Sequence, residues 1–171
     1  MSRFTKEKNV SFVFDVFKHM PENVRLTLVG YGQEYDALRY QAFNELHFSH
    51  ERVRFVHKPD QSTLLELYRC ADLFLFPSHN DTQGIVIAEA LSQGLPVIAV
   101  DGPGQRDSIR TRENGFIITD AMNAVEIIKN IMNNAELHAY LRCNAYETGR
   151  RYAATTHVQH LLSFYEMVKI E

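Results

Sequence analysis

The chain has 171 residues, of which 18 are Lys or Arg, 21 are Asp or Glu, and 45% are hydrophobic. This length suits one domain or two small ones, and the apolar content is high enough to offset chain entropy, which argues against intrinsic disorder. A net charge of −3 gives no reason to expect a general electrostatic grip on nucleic acid, so we expect any phosphate binding to be local.

Short apolar strands alternate with amphipathic helices through most of the chain. In chain order, the sequence predicts a helix over Lys8–His19, a strand over Val24–Val29, a helix over Gln33–Phe48, a strand over Val53–Val56, a helix over Ser62–Ala71, a strand over Asp72–Phe76, a helix over Gln83–Gln93 and a strand over Pro96–Val100. A last strand over Gly115–Ile118 precedes predicted helices over Ala121–Asn133, Ala135–Arg150 and Thr155–Lys169. No strand is predicted ahead of the first helix.

This order of elements indicates a parallel sheet, because parallel neighbours need crossover connections, and those crossovers are right-handed. The near-continuous apolar strands indicate that helices cover both faces of the sheet. We therefore predict an α/β fold with a doubly wound parallel sheet in about residues 1–120, followed by a helical tail over about residues 121–171.

Cysteine use and hydropathy bear on the cellular compartment. Cys70 and Cys143 lack a CxxC spacing or a Cys/His cluster, and each lies in a predicted helix beside apolar residues, so we expect reduced core thiols rather than a disulfide. No apolar stretch approaches the roughly 18 residues of a membrane span, and no signal-peptide pattern opens the chain. We expect a cytoplasmic protein, at most peripheral on the inner face of a membrane.

Four loops follow predicted strands, and ligands of open α/β sheets bind beyond the carboxyl ends of the strands. The loops are Gly30–Gly32, His57–Asp60, Pro77–Gly84 and Asp101–Gly104. The two glycines of the first loop are a weak signal alone, because the third glycine of a dinucleotide-binding fingerprint is absent. His79, in the third loop, is suited either to donate a hydrogen bond to a sugar or phosphate or to be an ordinary surface residue.

The helix after the third loop carries one charge on an otherwise apolar surface. Ile85–Leu91 is apolar on nearly every face, which predicts an interior helix, and Glu89 is its single charged residue. A buried carboxylate is costly without polar partners. We therefore expect Glu89 to accept hydrogen bonds from protein groups or ligand hydroxyls, and a position on a solvent-facing edge is the alternative.

A second carboxylate, Asp81, lies eight positions before Glu89, or roughly 10 to 12 Å away at ~1.5 Å rise per helical residue. This separation is too large for a shared proton, so it favours two ends of one elongated ligand over a paired acid/base site. A helix N-cap is an equal alternative for Asp81. Gly84 permits close backbone approach, and the free amides at the start of this helix suit a phosphate.

Two cations near the amino end offer another anion contact. Arg3 provides a planar fork for phosphate oxygens and Lys8 provides a point charge. On their own, residues of this kind are more often solvated surface charges. Histidine pairs one helical turn apart lack a third ligand, so no metal site is predicted.

Taken in order, these segments resemble the donor-binding half of the retaining glycosyltransferases of family 4, which have the glycosyltransferase-B fold of two facing Rossmann-like domains. The resemblance covers roughly the first 120 residues and is carried by Ser2–Asn9, Leu28–Gly32, Val53–Val56, Ala71–Ser78, Gly84–Ala90, Gly94–Val97 and Asn114–Phe116. Asp81 departs from the family pattern in being one methylene shorter than the usual Glu, and Gln83 stands where an aromatic residue is frequent.

The resemblance implies a site for a nucleoside-diphosphate sugar. It implies that Arg3 and Lys8 hold the donor diphosphate, that Asp81 faces the transferred sugar as the first position of a Glu-x7-Glu motif, and that Glu89, the second position, binds the ribose hydroxyls. Further donor contacts are expected from Gly30, Gly32, His57, Lys58, Gln83, Gly84 and Ile85, with base selectivity near His57 and Lys58. The implied reaction retains the anomeric configuration and needs no metal, no other cofactor and no side-chain base.

The resemblance covers half of such an enzyme. The acceptor-binding N-terminal domain is absent, as is the strand that normally precedes the Arg3 turn, so we expect the isolated domain to bind nucleotide sugar weakly and to transfer little. The expected partners are a UDP-, GDP- or ADP-hexose and the acceptor domain of a parent chain, with a lipid or glycan acceptor. Two alternatives remain, a nucleotide-sugar epimerase of the same fold and a non-catalytic nucleotide-binding or interaction module.

Overall fold

Strands and helices alternate along residues 2–79 and 84–152, which are the residues that the computed structural model describes. The strands are β1 (Ser2–Arg3), β2 (Leu26–Tyr31), β3 (Val53–His57), β4 (Phe74–Phe76), β5 (Val97–Val100) and β6 (Gly115–Ile118). The helices are α1 (Val10–Phe17), α2 (Tyr35–Tyr40), α3 (Gln61–Cys70), α4 (Ile85–Ser92), α5 (Pro103–Ser108), α6 (Ala121–Met132) and α7 (Ala135–Arg151). A 3-10 helix, Lys6–Lys8, precedes α1, and a π-helical turn, Gln41–Glu45, continues α2.

Local chemistry explains where several helices begin. Asp60 before α3, Asp120 before α6 and Asn134 before α7 each accept a hydrogen bond from the backbone amide three residues further on, at 2.8 to 2.9 Å. Pro103 opens α5, at a helical position where no amide donor is needed. Helix α5 was not predicted from the sequence, because Gly102, Pro103 and Gly104 favour a turn.

The strands form two parallel sheets of three strands each, where one sheet was predicted. In the first sheet, β2 lies between β1 and β3, and Gly30 is opposite both Ser2 and His57. In the second sheet, β5 lies between β4 and β6. The predicted parallel α/β class is confirmed, but the strands are divided because β1 pairs only with Gly30 and Tyr31, at the carboxyl end of β2.

The two sheets share a hydrophobic core. Phe14 and Val16 of α1 belong to the same buried cluster as Ile98 and Val100 of β5, and α1 packs against α6. A second cluster surrounds α4, which packs against α7. All four residues of β5 are buried, as expected for a strand that is covered on both faces.

Several expectations need correction. A strand, β1, does precede the first helix, and Gly30 lies within β2 rather than in a turn. Cys70 and Cys143 are free, as predicted, but exposed, because they lie on the outer faces of α3 and α7 instead of in the core. The helical tail is confirmed as far as α7, and the helix predicted over Thr155–Lys169 lies outside the described residues. None of the described helices has the length and hydropathy needed to cross a membrane.

Candidate functional site

One half of the candidate site lies at the carboxyl ends of the first sheet. Arg3 ends β1, and its Cζ lies 5.9 Å from the centroid of the Tyr31 ring, at the end of β2. Lys58 follows β3, and its Nζ lies 5.4 Å from the centroid of the same ring. Both distances permit cation–π attraction. The structure thus places two predicted donor-binding cations around one aromatic ring, where their joint charge favours an anion.

The backbone around these cations is constrained. Gly32 has φ 131°, and a Cβ on it would lie 2.8 Å from the carbonyl oxygen of Phe4 and 3.1 Å from Cγ of Arg3. Lys58 has φ 48°, a left-handed conformation that residues with a Cβ adopt rarely. Gly32 therefore allows the turn after β2 to lie against Arg3. This steric requirement explains the glycine better than the incomplete dinucleotide-binding fingerprint in the sequence does.

The 3-10 helix that ends at Lys8 contacts the loop after β4. Lys8 lines a cavity together with Ser78, from the loop after β4, and Val86, from the first turn of α4. In the same place, the Ser78 hydroxyl lies 3.5 Å from the Glu7 carbonyl oxygen, at the limit of a hydrogen bond. This contact brings the 3-10 helix against the loop that leads to α4, and a shared phosphate contact of Lys8 and the start of α4 stays a prediction.

The other half of the site is built on α4. Gly84 is its N-cap, with φ 57°, and a Cβ there would lie 3.2 Å from the carbonyl oxygen of Gly104, so the close approach is to the first turn of α5. Ile85 is 57% exposed, which corrects the expectation of a fully interior helix. Asp81 and Gln83 precede this start and lie outside the described residues. At this helix start Gly84 is buried while the Ile85 side chain is exposed, and the amides and dipole of a helix start favour an anion.

Glu89 is half-buried, and it accepts a hydrogen bond as predicted. The donor is the Tyr68 hydroxyl of α3, 3.2 Å from Oε2. Burial, together with the charge of Glu89 and this hydrogen bond, raises the pKa of the Tyr68 hydroxyl, so the phenol stays protonated and remains a donor. The sequence prediction of a partnered carboxylate on α4 is confirmed, although it is less deeply buried than expected.

Hydrogen bonds join the loop after β4 to the loop and helix after β5. The amide nitrogen of fully buried Gln105 donates to the Ser78 carbonyl oxygen at 2.5 Å, and His79 Nδ1 lies 3.3 Å from the Asp101 carbonyl oxygen. Arg106 donates to both carboxylate oxygens of Asp101, which holds the pKa of that carboxyl below its usual value. In the described residues, His79 therefore contacts the neighbouring loop.

Comparison with known proteins identifies the family. The family model described as glycosyl transferases group 1 matches residues 1–148. The chain belongs to this family. Among curated relatives, the D-inositol 3-phosphate glycosyltransferase of Xylanimonas cellulosilytica is 29% identical over 155 residues, which are 85% of this chain and 36% of that protein. The chain spans about a third of the length of the curated relatives it matches.

Two solved structures share the fold of this chain. The C-terminal domain of the group 1 family protein LpcC from Francisella tularensis has a TM-score of 0.78 and 16% identity, over 90% of this chain and 84% of that one. Anabaena HepE, solved in complex with UDP-glucose, has a TM-score of 0.83 and 23% identity, over 96% of this chain and 47% of that one. The chain has the fold of a C-terminal domain of GT-B glycosyltransferases.

Some residues of this group 1 domain that shape the site were not found from the sequence. Tyr68 and Gln105 reach partners 21 and 27 positions away, and no local pattern indicates such distant hydrogen bonds. The Asp101–Arg106 pair could have been found from the sequence, because the two residues are only five positions apart across the start of α5. In residues 2–79 and 84–152, no three His, Cys, Asp or Glu side chains are grouped as metal ligands.

Proposed function

We propose that this chain is the donor-binding half of a retaining glycosyltransferase, which transfers a hexose from a UDP-, GDP- or ADP-sugar to a lipid or glycan acceptor. One observation carries the proposal. Arg3 and Lys58, which suit a diphosphate, flank the Tyr31 ring at the carboxyl end of β2, and the loop that leads to α4, the helix that carries the partnered carboxylate of Glu89, contacts the 3-10 helix that ends at Lys8. The complex of Anabaena HepE with UDP-glucose supports the choice of ligand class.

Each group has a role in this proposal. Arg3 and Lys8 hold the diphosphate and, with the amides at Gln83 to Ile85, stabilise the negative charge that develops as the nucleoside diphosphate departs. Glu89 accepts from the ribose hydroxyls and Asp81 faces the transferred sugar. The remaining donor contacts are the backbone near Gly30, Gly32, Gly84, His57 and Lys58.

The chemistry and the assembly follow from these roles. The acceptor attacks on the face that the leaving group vacates, and the departing diphosphate takes its proton, so the reaction requires neither a side-chain base nor a metal ion. An acceptor-binding domain of a parent chain closes over the donor and excludes water, which leaves the isolated domain with little activity. A lipid acceptor would bring the parent enzyme to the inner face of a membrane.

Nucleotide binding tests the donor site directly. Thermal shift with UDP, GDP and ADP selects the base, and titration of the preferred nucleotide into the double variant Arg3→Ala, Lys8→Ala tests the phosphate contact. We expect the affinity to fall at least tenfold. The control, Lys129→Ala with Arg151→Ala, removes the same charge from exposed positions on α6 and α7 and should bind as the parent chain does. Equal affinities in all three proteins would remove the phosphate site and favour a non-catalytic interaction module.

A further inference from the structure

One aromatic ring holds together the chain next to Arg3 and the chain next to Lys58. The Tyr35 ring, at the start of α2, stacks on the Phe4 ring with their centroids 6.0 Å apart, and it meets the His57 ring at 4.9 Å and an angle of 86°. Phe4 directly follows Arg3, and His57 directly precedes Lys58. Because the neighbours of both cations pack against Tyr35, Arg3 and Lys58 are limited in how far they can move apart.

The two cations themselves share a second ring, that of Tyr31. Arg3 is opposite Tyr31 in the pairing of β1 with β2, and Lys58 follows His57, which is opposite Gly30 in the pairing of β2 with β3. The cations therefore reach Tyr31 from the strands on its two sides. The Cζ of Arg3 lies 5.9 Å and the Nζ of Lys58 lies 5.4 Å from the ring centroid, both within the roughly 6 Å over which a ring face attracts a cation.

Protein carboxylates do not neutralise this pair of cations. Among residues 2–79 and 84–152, no carboxylate forms an ion pair with Arg3 or Lys58, whereas Lys18, Arg52 and Arg106 each have such a partner. Both side chains are exposed, and two like charges beside one ring repel each other. A bound anion would offset this repulsion. A diphosphate suits the pair, because a guanidinium offers two parallel donors and an ammonium offers a point charge.

The backbone at Lys58 also indicates a role for its side chain. Its φ of 48° lies in the left-handed region, which costs energy for any residue with a Cβ and which glycine adopts freely. Residues held in this region are concentrated at ligand sites. The left-handed turn directs the chain away from β3 while the ammonium stays over the Tyr31 ring, so a lysine here provides a contact that glycine would not.

We propose that Arg3 and the Lys58 ammonium together bind one diphosphate group, and that Tyr31 is the residue that positions both cations for it. The inference rests on the proposed function for the identity of the ligand, and it deepens that function. It adds a phosphate cation from the end of β3 to Arg3 and Lys8, and it leaves the backbone near His57 and Lys58 for the base. Tyr31 acts through the face of its ring, so its hydroxyl is not required.

Titration with inorganic pyrophosphate tests the cation pair apart from any nucleotide. Lys58→Met keeps most of the apolar stem and removes the charge, and Lys129→Met makes the same change at an exposed position on α6. We expect the pyrophosphate affinity of the full chain to fall at least fivefold in Lys58→Met and to stay at the parent value in Lys129→Met. The order of preference among UDP, GDP and ADP should be the same in Lys58→Met as in the parent chain, because the ammonium meets the phosphates and not the base.

Two replacements of Tyr31 separate positioning by the ring from support of the fold. Tyr31→Phe keeps the ring face and should bind pyrophosphate as the parent chain does, whereas Tyr31→Leu should lose at least threefold in affinity. The place of Lys58 is measured without ligand from the proton resonances of its ε-methylene group, which a ring face shifts upfield. We expect this upfield shift in the parent chain and in Tyr31→Phe, and its loss in Tyr31→Leu. If Tyr31→Leu does not fold, the shift in the parent chain and the Lys58→Met titration still decide.

Several results would overturn the proposal. One is a parent chain that does not bind pyrophosphate, or that binds it no better than Lys58→Met does; if Arg3→Ala with Lys8→Ala still weakened nucleotide binding, the donor site would stand without Lys58. Others are a changed order of bases in Lys58→Met, equal losses in Tyr31→Phe and Tyr31→Leu, and a parent chain without the upfield shift. Pyrophosphate binding that depends on Lys58, in a chain that binds no nucleoside diphosphate more tightly, would support the cation pair and contradict the proposed function.

Discussion

At the residue scale, one hydrogen bond decides how Glu89 can meet a ligand. The Tyr68 hydroxyl donates a hydrogen bond to Oε2 of Glu89, and no described residue is seen to donate to Oε1. Because burial and the charge of Glu89 raise the pKa of Tyr68, this donor is not lost at any physiological pH. Tyr68 therefore holds the carboxylate in one orientation, which suits an acceptor for hydroxyls in a fixed position.

Removing the Tyr68 hydroxyl tests this orientation. Tyr68→Phe should weaken nucleoside diphosphate binding by about 1 kcal/mol, a roughly fivefold rise in Kd, because Glu89 loses its fixed position. Tyr40→Phe, on a ring that is 60% exposed, is the matched control and should bind as the parent chain does. The loss should disappear with a 2′,3′-dideoxy nucleotide, since that ligand offers Glu89 no hydroxyls. A loss of equal size with both ligands would mean that Tyr68 acts on the fold and not on ribose.

At the element scale, the turn after β2 positions the amino end of the chain. Gly32 lies so close to Phe4 and Arg3 that a methyl group has no room. Two backbone hydrogen bonds hold Phe4 after β1, one from Phe4 N to the Tyr31 carbonyl oxygen and one from Glu34 N to the Phe4 carbonyl oxygen. A change in this turn must therefore move Arg3. A two-residue strand offers few other contacts to resist the displacement.

Gly32→Ala should affect both stability and nucleotide binding. The added Cβ meets the Phe4 carbonyl oxygen at 2.8 Å in a backbone conformation that alanine avoids, so we expect a destabilisation of about 1 to 3 kcal/mol. Gly94→Ala is the control, because Gly94 has φ 69° but its Cβ would meet nothing nearer than 3.4 Å, away from the site. Urea denaturation should show a loss in both variants, whereas titration should show weaker nucleotide binding in Gly32→Ala alone.

The helix caps give the fold a defined dependence on pH. Hydrogen bonds from backbone amides lower the pKa of Asp60 and Asp120 below the ordinary value of 3.8. A carboxyl whose pKa is lower in the folded state stabilises that state above the unfolded pKa, and this contribution is lost as the pH falls through the folded pKa. The caps of α3 and α6 therefore contribute at neutral pH and weaken in acid.

Comparing urea midpoints at about pH 7 and about pH 3 tests the α6 cap. Asp120→Ala should lower the midpoint at neutral pH, and the difference from the parent chain should shrink in acid, as the pH falls below the unfolded pKa toward the lowered folded pKa of Asp120. Glu126→Ala, on the exposed face of the same helix, removes a charge that caps nothing and should show neither effect. A difference for Asp120→Ala that stays constant with pH would contradict the charge-assisted cap.

At the scale of the whole molecule, the sequence predicted the order of the elements better than their joining into sheets. Apolar runs bounded by glycine and proline indicate strands whatever their neighbours are, so β3 and β6 could be placed within a residue of their ends. The division into two sheets depends on the length of β1, and two residues carry no periodicity. Arg3 and Lys58 could be predicted to lie at the carboxyl edge of one sheet because strand ends converge there, and Glu89 to need a partner because it is the single charge on an apolar helix. Tyr68 could not be predicted as that partner, since it is distant in the chain.

The division of the site between two sheets leads to a prediction about ligand length. If one nucleotide spans both halves, Arg3 and Lys8 meet its phosphates and Glu89 meets its ribose, so each contact should depend on a different part of the ligand. Arg3→Ala should weaken the diphosphate more than the monophosphate and leave the free nucleoside unchanged. Glu89→Gln should weaken all three by about 1 to 3 kcal/mol, because all three carry the ribose.

Isothermal titration of the two variants with the three ligands of the preferred base separates the contributions. The losses of Arg3→Ala and Glu89→Gln should add in the double variant, because the two residues contact separate ends of the ligand and share no partner. Glu66→Gln, on α3 at an exposed position, is the control for removing a carboxylate charge. If Arg3→Ala weakened the nucleoside as much as the diphosphate, the cation would act through the fold, and a single ligand bridging the two sheets would no longer account for the site.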